Sequence, residues 1–285
     1  MTQSIRLRDG RQLAYAEYGD PAGKPVFFFQ GTPSSRLMHP DEDITRAAGA
    51  RLIVADRPGF GLSDFQVGRT LLDWPDDVAE LAAALSIDRL AVVGISGGGP
   101  YVSALAYKMP QRLTAVAIVS GGGPSNAPHA LAGLSRERQA AYQLFRRVPW
   151  LMRPLFWLSY NPRRNPETFF KKYTANARGA DRRIIQRPTM QTMLTASYAE
   201  AARQGVRGFV WELHLVARPW GFSLRDIRVP VLLWHGDQDA STPLAMAQYV
   251  AQTIPQCHAT FLAGEGHFLL FEHWAEILKV LLSSS

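Results

Sequence analysis

The sequence predicts an α/β fold: a mostly parallel, doubly wound sheet of about eight strands with a helical cap inserted in its second half. Three observations lead there. Short, wholly apolar runs alternate with stretches of helical spacing, the rhythm of βαβ units whose strands are covered on both faces. Several of those runs end in glycine-rich turns. Between residues 125 and 223 the rhythm stops, leaving amphipathic helical patches, many arginines and several prolines. A stretch of that length is too long for a loop in a compact domain, so it is expected to be a folded insertion. The expected organisation is a core of residues 1–124 and 224–285 and a cap of residues 125–223.

The elements follow in order. Ser4 to Tyr18 reads as two strands joined at Asp9-Gly10, a hairpin signal. After the loop Pro21-Ala22-Gly23-Lys24-Pro25, Val26 to Phe29 is a fully apolar strand that ends in Gln30-Gly31-Thr32-Pro33. Arg51 to Ala55 is another buried strand and runs into Asp56-Arg57-Pro58-Gly59-Phe60-Gly61-Leu62-Ser63. Leu71 to Leu85 has helical spacing, with Pro75 near its start, where a missing N–H costs little. Leu90 to Ile95 is a strand, Gly97 to Met109 a helix, and Leu113 to Val119 the next strand. After the insertion, a strand (Pro230 to His235), a helix (Leu244 to Thr253), a strand (His258 to Leu262) and a last helix (Phe268 to Leu282) finish the chain.

Composition bounds the function. At 285 residues, 47% of them apolar, the chain suits one large domain with an insertion. No apolar run reaches the length of a bilayer span, so stable membrane insertion is not expected. Met1-Thr2-Gln3-Ser4-Ile5-Arg6 lacks the continuous apolar run of a signal peptide, and a cytoplasmic location is the default expectation. Cys257 is the only cysteine, which excludes an internal disulfide and a multi-cysteine zinc site. The net charge of +7 is uneven: residues 136–187 hold thirteen Lys/Arg against three Asp/Glu, whereas the remainder holds 18 against 21. With no nucleic-acid motif beside it, this excess reads as the solvated face of a helical segment rather than a nucleic-acid site. The expected partner is a small-molecule substrate.

The chemistry centres on Gly94-Ile95-Ser96-Gly97-Gly98, which joins an apolar strand to a helix. That context is what a nucleophile elbow requires: strand, strained tight turn, helix. It presents Ser96 beyond the strand's carboxyl end, and the first helical N–H groups, lacking intrahelical partners, face a developing oxyanion. A serine needs a base, and the base an orienting acid. Seven histidines compete: His39, His129, His214, His235, His258, His267 and His273. His267 stands in Gly264-Glu265-Gly266-His267-Phe268, after the last strand and before a helix, where a loop is free to approach the elbow. His235, His258 and His273 fall within strand or helix patterns and suit core or surface roles; His39, near the first glycine loop, suits the pocket wall. Asp237 and Asp239 both follow the strand ending at His235. Asp239 lies deeper in the loop and is the expected acid, with Asp237 in a turn or capping role.

Three stretches, Gly94 to Gly98, Asp56 to Ser63 and Gly264 to Phe268, resemble the α/β-hydrolase superfamily, and most of all its esterase, lactonase and C–C hydrolase group with an inserted lid. The chain order Ser96, Asp239, His267 fits that family's order of nucleophile, acid and base. The resemblance covers residues 1–124 and 224–285; the lid matches in position only. It implies attack of Ser96 on a carbonyl with His267 as base, an acyl-enzyme, and an oxyanion hole from the N–H groups of Gly97 and Thr32. Here Gln30-Gly31 precedes Thr32 where relatives usually carry His-Gly. The Asp56–Ser63 loop is mainly architectural in relatives. No metal or organic cofactor is implied.

The insertion carries Tyr142, Phe145, Trp150, Phe156, Trp157, Phe169, Met190 and Trp211, a composition that suits both a lid core and an apolar pocket. The expected pocket wall is Gln30, Gly31, His39, Trp150, Trp157 and Phe268. The expectation is a carboxylesterase-like hydrolase for small to medium, partly apolar esters. C–C bond hydrolase, lactonase and aminopeptidase on the same fold remain alternatives, as does a non-hydrolytic ligand receptor. The lid's shortage of acidic residues tells against the aminopeptidase, which needs carboxylates for the substrate amine.

Overall fold

Val26, Phe27, Phe28 and Phe29 are all fully buried, and that run dictates the architecture. Successive strand side chains point to opposite faces, so a run apolar at every position needs a hydrophobic layer on each side. Phe27 and Phe29 pack in one core with Trp74, Val78 and Tyr101; Val26 and Phe28 pack in the other with Trp274, Ile277 and Leu278. A computed structural model describes residues 2–125, 127, 134, 136–159, 165–175 and 177–283.

The strands are β1 (Thr2–Arg6), β2 (Gln12–Gly19), β3 (Lys24–Phe29), β4 (Ala50–Ala55), β5 (Leu90–Ile95), β6 (Leu113–Val119), β7 (Val231–Gly236) and β8 (Cys257–Leu262). They form one eight-stranded sheet in the order β1-β2-β4-β3-β5-β6-β7-β8. β2 runs antiparallel to both its neighbours and every other pairing is parallel. The hairpin between β1 and β2 closes where Asp9-Gly10 predicts it, with Gly10 at φ +87. The edge strand β8 is largely exposed, whereas β5 in the middle is buried at every position. The carboxyl ends of β3, β5, β7 and β8 therefore deliver the Gln30, Ser96, Asp239 and His267 loops to one edge of the sheet.

In chain order the helices of the first half are α1 (Glu42–Ala47), α2 (Trp74–Ala84) and α3 (Gly99–Lys108). A Thr70–Asp73 capping box opens a 3-10 turn, Leu71–Asp73, that leads into α2, and Pro75 stands in the first turn of α2, in line with the Leu71 to Leu85 pattern. α1 was not expected; Asp41 caps it by accepting from the Ile44 N–H. Between β6 and β7 lie α4 (Arg136–Arg147), α5 (Pro149–Ser159), α6 (Pro166–Tyr173), α7 (Gly179–Ile185), α8 (Pro188–Ala201) and α9 (Arg207–Ala217), with no strand among the described residues. α4, α5 and α9 share a small core of Phe145, Met152, Val210 and Ala217. Ile184, Met190 and Leu194 of α7 and α8 instead join the core that holds Val26 and Phe28.

The chain closes with α10 (Leu244–Thr253), α11 (Leu269–Glu272) and α12 (Trp274–Ser283). The single helix expected from Phe268 to Leu282 is thus two, parted at His273, whose φ of −99 and ψ of 18 are not helical. Burial of Leu269, Leu270, Trp274, Ile277, Leu278 and Leu281 continues across the break, so the apolar pattern does not mark it. Among the described residues no helix is long and apolar enough to cross a membrane.

Candidate active site

Ser96 occupies the left-handed region, φ +56, which a residue with a Cβ rarely enters. The turn holds it there because its glycines are wedged tight. A Cβ on Gly94 would come within 2.7 Å of the Val102 side chain, and one on Gly98 would overlap the Phe29 carbonyl. A Cβ on Gly97 would reach Thr32, 2.9 Å from its Cβ. The backbones of Gly97 and Thr32 therefore lie side by side beneath the serine, where the start of α3 leaves N–H groups without intrahelical acceptors.

The loop after β7 carries the acid. Asp239 Oδ1 accepts from the Ser241 and Thr242 N–H groups at 2.7 and 2.8 Å, which leaves Oδ2 for the imidazole of His267, Nδ1 at 2.8 Å. Burial pushes the Asp239 carboxyl up, but the His267 imidazole, its hydrogen bond, His235 and the Thr242 N–H together hold it below its ordinary 3.8. An ionised carboxylate only accepts, so His267 Nδ1 donates its proton to Asp239. His235 lies below, its Nε2 3.8 Å from Asp239 Oδ2 and 3.1 Å from the Thr242 carbonyl. Burial holds His235 below its ordinary 6.5, against the opposing Asp239 charge. Asp237 takes the turn role expected of it, accepting the Gly264 N–H at 2.8 Å.

His267 is 5% exposed, and its loop is gripped from the helical insertion. Asp181 on α7 accepts the His267 N–H at 2.9 Å and the Phe268 N–H at 2.8 Å. Gly266 makes this possible, since a Cβ there would overlap the Asp181 carboxylate. Ser96, His267, Gly31, Thr32 and Phe268 border one small space of about 20 Å³. It adjoins a larger cavity of about 460 Å³, floored by Thr32, Ser96 and Gly97 and walled by aromatic residues such as Tyr142, Phe145, Phe156 and Phe169. Lys172 and Asp181 bring charge to that wall. Tyr173 donates its hydroxyl to the Thr32 carbonyl at 2.9 Å.

The structure thus brings together Ser96, Asp239, His267, Gly97, Thr32, Gly31 and Phe268. Four expected pocket residues are corrected. Gln30 is 1% exposed and turns inward, donating Nε2 to the Ala55 carbonyl at 3.0 Å. His39 stacks on Tyr18 with centroids 3.8 Å apart, its Nδ1 2.8 Å from the Pro40 carbonyl. Trp150 and Trp157 are 65% and 51% exposed on α5, and neither borders the cavity. The aromatics of the insertion that border the cavity are instead Tyr142, Phe145, Phe156, Phe169, Tyr173, Phe209 and Trp220. His129 lies outside the described residues.

Asp181 and Glu212 escape sequence reading, yet each leaves a trace. Asp181 is one of only three acids among the basic residues 136–187, and Glu212 interrupts the apolar run Phe209-Val210-Trp211-Glu212-Leu213. Such residues are buried when something pairs them. Among the described residues no group of three or more His, Cys, Asp or Glu side chains could hold a metal ion.

A mostly parallel eight-stranded sheet with a strained serine at the end of its middle strand defines a class: residues 24–273 match the alpha/beta hydrolase fold family, and the chain belongs to it. Among curated relatives it is 28% identical to a non-heme haloperoxidase of Rhodococcus erythropolis, over 88% of this chain and 86% of that one. It is 26% identical to a 2-hydroxy-6-oxononadienedioate/2-hydroxy-6-oxononatrienedioate hydrolase of Burkholderia vietnamiensis, over 86% and 80% of the two chains. Among solved structures, a thermophilic esterase from Thermogutta terrifontis superposes with a TM-score of 0.69 at 22% identity, covering 99% and 97% of the two chains. At that identity the likeness speaks for the fold alone.

Proposed function

We propose that the protein is a serine hydrolase of carboxylic esters, acting through Ser96, His267 and Asp239 beneath a cap formed by residues 125–223. One observation carries the reading: His267 Nδ1 meets Asp239 Oδ2 at 2.8 Å while His267 and Ser96 border the same small space. With Nδ1 donating to the carboxylate, Nε2 is the atom available to take the Ser96 proton as Oγ attacks the ester carbonyl. The oxyanion then accepts from the Gly97 and Thr32 N–H groups, each contributing about 3 kcal/mol as a comparable donor does elsewhere. His267 returns the proton to the leaving alcohol, and water, deprotonated by the same imidazole, releases the acid from the acyl-serine. The aromatic walls and the 460 Å³ volume favour small to medium, partly apolar esters.

The deciding experiment is labelling with a fluorophosphonate probe together with turnover of p-nitrophenyl butyrate. Wild type is expected to label, and Ser96→Ala to lose both the label and at least about 10⁴-fold in kcat. A label that survives Ser96→Ala, or a wild type that takes none, overturns the reading. Because one relative is named a 2-hydroxy-6-oxononadienedioate/2-hydroxy-6-oxononatrienedioate hydrolase, the panel includes a vinylogous diketone. Faster turnover of that compound than of simple esters would move the assignment to C–C cleavage on the same triad.

A further inference from the structure

Beneath Thr32 lies a buried group of charges that the reaction outlined above does not use. Glu212 on α9 is 0% exposed and all its acceptor capacity is spoken for. Its Oε1 accepts from Arg57 Nε at 2.6 Å and from the Thr32 hydroxyl at 2.8 Å. Its Oε2 accepts from Arg69 at 2.7 Å and from the Tyr101 hydroxyl at 2.6 Å. The Arg57 guanidinium runs on into the loop before Thr32. It donates to the Gln30 carbonyl at 2.7 Å, the Gly31 carbonyl at 3.0 Å and the Thr32 hydroxyl at 3.1 Å. One ion pair thus fixes both carbonyls leading to the Thr32 N–H, and the Thr32 side chain as well.

Stability alone does not account for this arrangement. Burying two arginines and a carboxylate carries a large desolvation cost, and apolar replacements of similar volume commonly serve a core as well. Burial pushes the Glu212 carboxyl up, but Arg57, Arg69 and the Tyr101 hydrogen bond hold it below its ordinary 4.5, so the cluster stays ionic. A backbone contact sets its position. Gly208 of α9 backs so closely on the Gly59 carbonyl that a Cβ there would overlap it. Residues four apart share a helix face, so the same contact lowers Glu212 onto Arg57.

We propose that Glu212 and Arg57 are positioning residues for the oxyanion hole, holding the Thr32 N–H towards Ser96 and making α9 part of the catalytic core rather than only a lid. Neither residue borders the substrate cavity, so their effect passes through Thr32. The proposal rests on the serine-hydrolase reading above and extends it to the Asp56–Ser63 loop, expected to be mainly architectural.

The test compares kcat and KM for p-nitrophenyl butyrate in the full chain carrying Glu212→Gln, Thr32→Val or both. Thr32→Val keeps the N–H and deletes only the hydroxyl link. Glu212→Gln is expected to lower kcat about 100-fold and Thr32→Val about ten-fold, each with KM within about two-fold, because a small misplacement of a transition-state donor costs that much. The double variant should be no slower than Glu212→Gln alone, since both changes act through one link. Thr32→Ser should regain most of what Thr32→Val loses. Losses that multiply in the double variant, a wild-type kcat in Thr32→Val, or effects confined to KM would overturn the proposal. If Glu212→Gln does not fold, judged by its circular dichroism and unfolding curve, the Thr32→Val and Thr32→Ser pair decides. Failure of the underlying reading shows separately, as wild-type activity that survives Ser96→Ala.

Discussion

His39 shows how local environment decides what a residue can do. Near the first glycine loop it looked placed for the pocket, but its ring finds a better surface on Tyr18, whose hydroxyl in turn donates to the Arg36 carbonyl at 2.9 Å. Burial holds His39 below its ordinary 6.5, although the Pro40 carbonyl and the Glu42 and Asp41 charges oppose that shift. An unfolded chain takes the proton first, so the stability tied to a neutral His39 is complete above pH 6.5 and is lost as the pH falls through the lowered value. Buried His235 is shifted in the same direction and adds to the same acid-side loss. His39→Phe keeps the stack on Tyr18 and removes the titrating group. We expect urea-unfolding free energies measured from about pH 7 to about pH 5 to fall less steeply for His39→Phe than for wild type. Parallel slopes would contradict the assignment.

The four residues of α11 are too few to hold a helix by themselves; Leu269 and Leu270 are buried in the core, and the turn that enters the helix is tied to α7. Asp181 reaches across from α7 to take the N–H groups of His267 and Phe268, at the entry of α11. Asp181→Ala leaves two buried donors unpaired and is expected to cost about 1–3 kcal/mol in unfolding free energy. It should also lower kcat about ten-fold as the His267 loop loosens. Asp181→Asn keeps one acceptor oxygen and should fall between wild type and alanine in both measurements. Unchanged kcat in Asp181→Ala would show that the loop is held by its own turn.

Legibility at this level followed the physics of burial. β3, β4, β5, β6 and β7 were readable because strands covered on both faces are apolar at nearly every position. The elbow was readable because no residue but glycine fits beside Val102 and the Phe29 carbonyl. α1 was not, since its six residues are too few for a period to show. Asp181 was not, because its partners lie 86 and 87 positions away and only folding brings them together.

At the scale of the whole molecule the charge is divided: residues 136–187 hold an excess of ten positive charges, while the rest of the chain carries three more acids than bases. The uneven split was visible in the sequence; that helices of this stretch roof the cavity was not. Lys172 borders the cavity directly, while on the same segment Arg187 is paired with Glu272 at 2.5 Å. With Lys172 on the cavity wall, a positive field there raises the local concentration of anionic substrates and their association rate, and leaves neutral ones alone. Salt separates this from contact chemistry, because exposed charges are screened beyond about 10 Å at 0.1 M ionic strength. We expect kcat/KM for a carboxylate-bearing p-nitrophenyl ester to fall several-fold between about 20 and about 500 mM NaCl, with that for p-nitrophenyl butyrate changing less than about two-fold. Lys172→Gln should flatten the first curve and leave the second in place. Equal salt dependence for the two esters would mean that the basic surface faces away from the path substrates take to Ser96.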